Sequence, residues 1–258
     1  MSQRLYSFGF ILLLMIALSP LKQAFADDDP KVYLVGIEDV DYLPFFTQSA
    51  EHSKHTFITD VLNLFAEEQG IKFEFVYLPI SRFPDWYDSA NIDFRVPDNA
   101  LWSTRHSDLV YSDSIVNLHI DLVVLPDNQA KQFGEFERVG SVNGFTPSPQ
   151  WKKRLEQNSA NFVYDNSVKI LVQLLQRGLV DCLDINLAVA RYYGKQLGYP
   201  DQAFVVANDT PDESFSYHLS TRKHGDKIKL FNQFLKDEKS KIDSIKREYG
   251  ISDHVAMK

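Results

Sequence analysis

The chain has 258 residues, of which 44% are hydrophobic, and a formal net charge of −8. This length is enough to bury a large core in one or two domains. The acidic balance argues against a nucleic-acid-binding protein, which needs clustered Lys and Arg, and against binding to anionic lipid surfaces. Cys182 is the only cysteine, so an intramolecular disulfide is excluded.

The N-terminal residues have the pattern of a secretory signal peptide. Arg4 supplies a positive charge, eleven apolar residues follow over 8–18, and residues 24–26 read Ala-Phe-Ala. The apolar run is shorter than the roughly 20 residues that span a membrane. Cleavage at residues 1–26 leaves 232 residues and removes Arg4 and Lys22, so the net charge falls from −8 to −10. No cysteine lies at the cleavage site, so we expect a periplasmic protein that is not a lipoprotein.

The first part of the chain predicts alternating strands and helices. The predicted elements are a strand over 31–37, a helix over 56–69, a strand over 71–79, a short helix beginning at Phe83 and a strand over 92–96. The first strand is nearly all apolar, as in a buried parallel sheet, and the helix repeats apolar residues at i, i+4, i+7 and i+8 before Gly70. This order predicts a βαβ unit.

The second part continues the pattern. The predicted elements are strands over 118–125 and 138–142, a helix over 167–176, a strand over 215–222 and a helical tail over 227–249.

Cys182 is expected to be a small core residue, since no histidine stands near it in sequence. His52 and His55 are three residues apart in a loop with no third ligand nearby, so we expect them to be solvated.

One loop carries an arginine at a position suited to anion binding. The strand over 92–96 is expected to end at Pro97-Asp98, and a polar turn that contains Arg105 follows. Ligands of open α/β sheets lie outside the carboxyl ends of strands. The fixed fork of guanidinium donors suits a carboxylate or a phosphate.

The same stretch resembles a segment of the family 3 periplasmic solute-binding proteins. Asp93 stands twelve residues before Arg105, and residues 111–113 read Tyr-Ser-Asp where the family has Phe-Ser-Asp. In that family the arginine holds the carboxylate of an amino acid or a similar small acid. Tyr42, Pro44 and Phe45 match the family's Tyr-x-Pro-Phe, although this segment also fits a turn whose aromatic residues fold back on the core.

The resemblance covers essentially the whole mature chain and implies a particular α/β fold. This is the two-lobed, type 2 periplasmic binding fold, or Venus flytrap, in which each lobe is a mostly parallel sheet flanked by helices. Lobe 1 would comprise 27–117 and 215–258, and lobe 2 would comprise 118–214. The chain lacks internal repeats and low-complexity linkers, which suits two lobes joined by two hinge crossings.

The resemblance also implies a ligand-binding site. Arg105 would clamp a carboxylate, Gly144 and Thr146 at a helix start would supply a second set of donors, and Asp184 or Asn186 would meet the polar end of the ligand. The candidate ligand-binding residues, which include Asp98 and Trp102 as departures from the family pattern, are Arg105, Tyr42, Phe45, Glu38, Asp98, Trp102, Gly144, Thr146, Asp184 and Asn186. Tyr42, Phe45 and Trp102 would form an aromatic wall.

Three departures from the family pattern affect the ligand. Asp98 and Ala100 replace small hydroxyl or amide positions before Arg105. Asn186 stands where the amino-acid binders usually carry an aspartate for the ammonium group, and Asn brings no charge to balance a buried ammonium. Phe145 replaces the middle hydroxyl of a Gly-Thr-Thr segment, which removes one donor and adds apolar bulk. A plain α-amino acid is therefore less expected than in a standard member.

Three functions follow from these residues. The leading one is non-covalent binding of a small, carboxylate-bearing or aromatic solute by a monomer without a cofactor or metal, for an ABC permease or a membrane sensor. The second is a periplasmic enzyme similar to cyclohexadienyl dehydratase, with Asp98 and Glu38 as candidate general acids. The third is a ligand-less interaction module, which an Asp98 facing Arg105 would favour.

Overall fold

The computed structural model describes residues 29–48, 55–102, 108–119, 121–211 and 214–251. The predicted signal peptide, His52 and Arg105 lie outside the described residues. Within these ranges the chain forms two mixed sheets flanked by helices. None of the helices described is both long enough and apolar enough to cross a membrane.

The chain first builds one sheet. Its elements are β1 (Lys31–Glu38), α1 (Phe57–Gln69), β2 (Ile71–Leu78), a 3-10 helix (Ile80–Asp85), α2 (Trp86–Ser89), β3 (Phe94–Asp98), β4 (Val110–Tyr111) and β5 (Val116–His119). Thr56 caps α1 by accepting a hydrogen bond from the Thr59 N–H, and Gly70 ends the helix with a left-handed φ of 61°. The predicted strand–helix–strand unit is confirmed.

The chain then builds a second sheet and returns to the first. The elements of the second sheet are β6 (Leu122–Val124), 3-10 helices at Pro126–Asn128 and Phe133–Glu135, β7 (Arg138–Val142), α3 (Pro149–Glu156), β8 (Asn161–Asp165), α4 (Val168–Gln176), β9 (Cys182–Asp184), α5 (Leu187–Gln196), a 3-10 helix (Asp201–Ala203) and β10 (Val205–Val206). The return elements are β11 (Ser214–Thr221), α6 (Gly225–Asp237) and α7 (Lys239–Glu248).

Both sheets are mixed, where the sequence predicts mostly parallel sheets. In the first sheet, in the order β2-β1-β3-β11-β4, β1 is parallel to β2 and β3, while β11 runs antiparallel to β3, β4 and β5. In the second, in the order β10-β6-β9-β7-β8, β7 is parallel to β8 and β9, while β6 is antiparallel to β9 and β10. The antiparallel strands β5, β6, β10 and β11 flank the two crossings between the sheets.

Three predicted boundaries were wrong. β3 does not end before Pro97 but runs through it to Asp98. The pairing of β11 with β3 shifts register between His218 and Ser220. A strand can hold a proline at such an irregularity, because the missing N–H is not needed for pairing there. The predicted strand over 118–125 is two strands, with the buried Asp121 between them. The helical tail is two helices that meet at Glu238.

The core of each sheet is built from the apolar faces that the sequence predicts. In α4, the residues Val168, Leu171, Val172 and Leu175 are all buried, and Ser167 caps the helix. Cys182 is fully buried in β9, which confirms it as a core residue.

Candidate ligand cleft

A cavity of about 890 Å³ lies between the two sheets, at the place where the crossings meet them. Seven of the ten candidate ligand-binding residues line it: Glu38, Tyr42, Trp102, Gly144, Thr146, Asp184 and Asn186. Both sheets therefore contribute walls, and polar groups of the two parts face each other across one space. No group of three metal-type ligands occurs within the described ranges.

Aromatic rings cover much of the first-sheet side. The Trp102 ring lies 6.0 Å from Phe215, 6.1 Å from Tyr217 and 6.3 Å from Phe83, measured between ring centroids. From the other side, Phe145 packs edge-on against Tyr42 at 5.2 Å. The aromatic wall is thus larger than the sequence analysis predicts, because it recruits two residues of β11.

Phe45, which the resemblance places in this wall, does not line the cavity. Its ring is fully buried behind Tyr42, at 6.1 Å, and packs against Phe57 and Tyr217. Phe45 therefore follows the other interpretation of this segment, in which the aromatic residues fold back on the core. Tyr42 packs in the core and also lines the cavity.

Asp98 also lies outside the cavity lining. It is fully buried, and its Oδ2 accepts hydrogen bonds from Arg95 Nε at 2.9 Å and Nη2 at 2.6 Å, and from the Ser220 hydroxyl. The Phe83 ring covers the Arg95 guanidinium at 3.9 Å. Asp98 therefore belongs to a buried ion pair within the first sheet.

Glu38, at the end of β1, is the acidic group of the first-sheet wall. It is only 4% exposed, and its Oε2 has no hydrogen-bond partner among the described residues. Burial, reinforced by the charges of Asp98 and Asp39 and opposed by Arg95, raises the pKa of Glu38 to about 8. At neutral pH its carboxyl is mostly protonated.

The second sheet places Asp121, Asp184 and Asn186 along the opposite wall. Asp121 is buried and accepts a hydrogen bond from the Leu187 N–H at 2.7 Å. The Asn186 side chain caps α5 by accepting from the Ala188 N–H at 2.9 Å. The amide oxygen of Asn186 thus has a structural partner, which the sequence analysis does not predict.

Asp121 is a cavity residue that is absent from the predicted site, although the sequence carries a signal for it. A single acid interrupts the apolar run Leu-His-Ile-Asp-Leu-Val-Val-Leu at residues 118–125. A buried acid needs partners, so a charge in such a run predicts either a functional site or a cap for a helix elsewhere in the fold. Here the cap is visible, and the residue also lines the cavity.

Gly144 and Thr146 lie in the loop between β7 and α3, as the resemblance implies. Gly144 has a φ of 92°, and a Cβ at this position would lie 2.5 Å from Cγ2 of Ile80, the first residue of the 3-10 helix after β2. Ser148 caps α3, accepting from the Trp151 N–H at 3.4 Å. Glycine is needed here for its conformation and for the close approach across the cleft.

The two sides of the cleft also contact each other directly. The Tyr42 hydroxyl accepts a hydrogen bond from the Asn186 N–H at 3.0 Å, and the Tyr193 hydroxyl donates to the Asp41 carbonyl at 2.9 Å. Asp41 forms an isolated bridge with Ser167. The helix α5 and the N-terminal ends of α4 and α5 therefore contact the segment after β1 directly.

Two mixed sheets, two crossings and a cavity between them define a two-lobed α/β protein of the Venus-flytrap class. No family model matches the chain. A curated relative, a probable histidine-binding protein from Neisseria gonorrhoeae, is 22% identical over 227 residues, which cover 85% of this chain and 83% of the relative.

Solved structures support the same fold. An ancestral arginine-binding protein bound to arginine superposes with a TM-score of 0.67 at 22% identity and covers 86% of this chain and 99% of its own. The ancestral amino-acid-binding protein AncCDT-1, a precursor of cyclohexadienyl dehydratase, has a TM-score of 0.65 at 22% identity, with 84% and 94% covered. The predicted fold class is confirmed, and both of these structures are named as amino-acid-binding proteins.

Proposed function

We propose that this protein captures a small, carboxylate-bearing, amino-acid-like solute between its two lobes and presents it to an ABC permease or a membrane sensor. The cavity between the lobes carries this proposal. Its volume of about 890 Å³ is within the range of small-molecule sites, and its lining combines aromatic rings with a few polar groups. The names of the similar proteins, which bind histidine and arginine, support an amino-acid-like ligand.

In the proposed complex, the two lobes contact different parts of the solute. Trp102, Phe215 and Tyr217 would cover the apolar part of the solute, and Arg105 would clamp its carboxylate. Thr146 and Asp184, from the second lobe, would meet the remaining polar groups. Residues from both lobes would then hold one solute, so binding would stabilise the closed arrangement by a hinge motion.

The proposed location is the periplasm. The signal-peptide pattern over 1–26 and the similarity to amino-acid-binding proteins of ABC transporters support it. We propose a monomer that works without a cofactor.

The first experiment is a thermal-shift screen of residues 27–258, unfolded and refolded to remove carried-over ligand. The panel contains amino acids, dicarboxylates, aromatic acids and small peptides. Binding to the folded state alone at a hundredfold excess over Kd adds about 2.7 kcal/mol, which raises Tm measurably. We expect a shift with at least one amino-acid-like solute.

The screen is repeated with Arg105→Ala, and with Arg138→Ala as a control. Arg138 is half-exposed and lies outside the cavity lining. The shift should disappear in Arg105→Ala and persist in Arg138→Ala. A folded protein that responds to no member of the panel would contradict the proposed function, and a shift that survives Arg105→Ala would contradict the clamp.

One observation favours a second candidate, an enzyme related to cyclohexadienyl dehydratase. Glu38 is a cavity acid whose pKa of about 8 suits proton donation near neutral pH. The similarity to AncCDT-1 adds to this candidate. Incubation with a hydroxycyclohexadienyl dicarboxylate should then produce an aromatic acid that absorbs in the ultraviolet. One carboxylate leaves as carbon dioxide, and the hydroxyl, protonated by Glu38, leaves as water. Equal rates for the unchanged protein and Glu38→Gln would exclude Glu38 as the acid.

A further inference from the structure

The strand β8 forms an exposed edge of the second sheet. Among the described strands it pairs with β7 alone, over all five of its residues and without a shift of register. Asn161, Val163 and Tyr164 are exposed, and the other two residues of the strand are only half-buried. The outer edge of such a strand presents N–H and C=O groups to solvent, so it is a template for another strand.

The longest edge of the described sheets is protected against pairing, and β8 is not. That longest edge is β2, which carries the exposed ion pair of Lys72 and Glu74, with 3.0 Å between Nζ and Oε1. Charged side chains of this kind deter pairing between sheet edges. β8 contains no lysine, proline or glycine, and its one charged residue, Asp165, already accepts a hydrogen bond from the Ser167 N–H at 2.8 Å. β8 therefore keeps its capacity to pair.

The outward backbone groups of β8 belong to Phe162 and Tyr164. At its first residue, the Asn161 N–H donates at 2.6 Å to the carbonyl of the residue before β7. At its last residue, the Asp165 carbonyl accepts at 3.1 Å from the N–H of the residue after β7. Successive residues of a strand direct their peptide groups to alternate edges. The N–H and C=O groups of Phe162 and Tyr164 therefore point away from β7.

The sequence of β8 complements itself in the antiparallel direction. A two-fold axis at Val163 would place Phe162 opposite Tyr164 of a second copy. These two residues carry the outward groups, so each such pair would exchange two hydrogen bonds, and the strand pair would form four. Val163 would face its own copy in a non-hydrogen-bonded pair. Asn161 would face Asp165, so no like charges would stand opposite each other.

Aromatic side chains would continue across this pair of strands. The centroid of the Phe162 ring lies 5.5 Å from that of Tyr164 and 5.5 Å from that of Trp151 in α3. Tyr164 is 44% exposed and Val163 is 37% exposed. Cross-strand pairs of aromatic and of β-branched residues stabilise sheets. Four of the eight exposed large apolar side chains in the described ranges lie between residues 163 and 179, so exposed apolar surface is concentrated in this part of the chain.

We propose that the outer edge of β8 binds a second copy of this chain in an antiparallel pair, which joins two five-stranded sheets into one. The pair uses the same edge on both copies, so the assembly closes at a dimer. None of residues 161–165 lines the cavity, so the pair does not use the cleft.

This inference goes beyond the proposed function and does not depend on it. A five-residue edge buries less than the roughly 1,200 Å² of a stable interface, and the net charge of −8 opposes association of two copies. The dimer is therefore weak and reversible. The monomer of the proposed function is the dilute form of the same chain.

Sedimentation equilibrium of the mature chain, residues 27–258, measures this association without any solute. Over total concentrations of about 5–500 µM, we expect a reversible monomer–dimer equilibrium with a Kd on the order of 0.1 mM. Val163→Lys and Val163→Glu each place like charges opposite each other at the two-fold axis, so each should weaken the dimer about tenfold or more. An equimolar mixture of the two variants should restore a heterodimer, because opposite charges then face each other.

Val32→Lys is the matched control. Val32 is also an exposed valine in a strand, at 45% exposure, but it lies in β1 of the first sheet. This variant should dimerise like the unchanged protein. Circular dichroism confirms that each variant folds.

A thiol at the two-fold axis tests the register with a substitution that keeps the strand uncharged. Opposite residues of a non-hydrogen-bonded pair have Cα atoms about 4.5 Å apart, which is within the range of a disulfide. With oxidised glutathione as the oxidant, Val163→Cys should form a covalent dimer about tenfold or more faster than Val32→Cys. Cys182 is buried, so it does not add to the cross-linking. Non-reducing gel electrophoresis measures the rates.

The possible outcomes are distinct from those of the solute screen. A chain that stays monomeric at the highest concentration overturns the inference, and so does a dimer that Val163→Lys leaves intact. Cross-linking of Val163→Cys no faster than that of Val32→Cys excludes the antiparallel register, and growth beyond a dimer excludes the two-fold arrangement. A protein that binds no solute but dimerises through β8 would contradict the proposed function and support this inference.

Discussion

Two buried carboxyl groups at the ends of neighbouring strands have opposite surroundings. Asp98, at the end of β3, receives two hydrogen bonds from Arg95, one from the Ser220 hydroxyl and one from the Asn99 N–H. Glu38, at the end of β1, has one oxygen without a partner and a pKa raised to about 8. The fold neutralises Asp98 with a guanidinium and neutralises Glu38 with a proton.

This difference shows why burial by itself does not identify a binding residue. Both carboxyl groups are almost inaccessible to solvent, and both were candidate acids on sequence grounds. A carboxylate whose partners are all internal contributes to the structure, and its removal leaves another buried charge uncompensated. A neutral carboxyl that faces a cavity can instead change its charge when a ligand enters.

The largest effect is expected when the internal pair is broken. Asp98→Ala should lower the free energy of unfolding by about 3–5 kcal/mol, because it leaves the fully buried Arg95 without its carboxylate. Urea denaturation measures the change. Asp127→Ala, at an exposed position, should stay within about 0.5 kcal/mol of the unchanged protein. If Asp98→Ala kept its stability but lost solute affinity, the role of Asp98 would be in solute binding and not in stabilising the fold.

The next effect is the pH dependence of stability. Between pH 4.5, the ordinary pKa of the carboxyl, and about 8, the folded protein holds a proton on Glu38 that the unfolded chain has released. The free energy of unfolding of the ligand-free protein should therefore fall as the pH rises through this window, by on the order of a few kcal/mol. This is opposite to the usual behaviour of a paired carboxylate.

Glu38→Gln cannot ionise, so the comparison with the unchanged protein isolates this group. The variant should match the unchanged protein near pH 5 and exceed its stability at pH 8, as measured by urea denaturation at each pH. Parallel curves for the two proteins would show that Glu38 does not hold the proton, and the contrast with Asp98 would then disappear.

A third substitution acts on the cleft instead of on either acid. Gly144→Ala should weaken solute binding by about 1–3 kcal/mol, because the added Cβ would lie 2.5 Å from Ile80 Cγ2 and oppose closure. Gly178→Ala is the matched control: its φ of 66° is also positive, but nothing lies within 4 Å of the added Cβ. If both variants lost the same solute affinity, the loss in Gly144→Ala would come from backbone strain and not from the contact with Ile80.

The smallest effect concerns the hydroxyl between the two lobes. Tyr42→Phe removes the acceptor of the Asn186 N–H and keeps the ring against Phe145. We expect solute affinity to fall about fivefold, the value of one hydrogen bond of about 1 kcal/mol. Calorimetry measures it, with Tyr249→Phe as the control because that hydroxyl donates to Asp60 away from the cavity. Unchanged solute affinity in Tyr42→Phe would show that the hydrogen bond between Asn186 N–H and the Tyr42 hydroxyl does not contribute to binding.

Local signals predicted much of the fold. The capped helix that ends at Gly70 and the apolar strand β1 follow from spacing and end residues, which act over a few positions. The positions of Tyr42 and Gly144 at the cleft followed from a family resemblance. Phe45 and Asp98 carried equally good sequence signals, yet they lie behind the wall, since the direction of a side chain depends on how strands and loops pack.

The sequence by itself determined the order of strands and helices, the acidic character of the chain and the identity of the candidate residues, because these depend on composition and short-range periodicity. The tertiary structure alone decided which acid is satisfied. Arg95 reaches Asp98 because both lie on β3, and Ser220 joins them from a strand 122 positions later in the chain. Glu38 faces the cavity, and the charge of a buried carboxyl depends on partners that only the folded chain brings within reach.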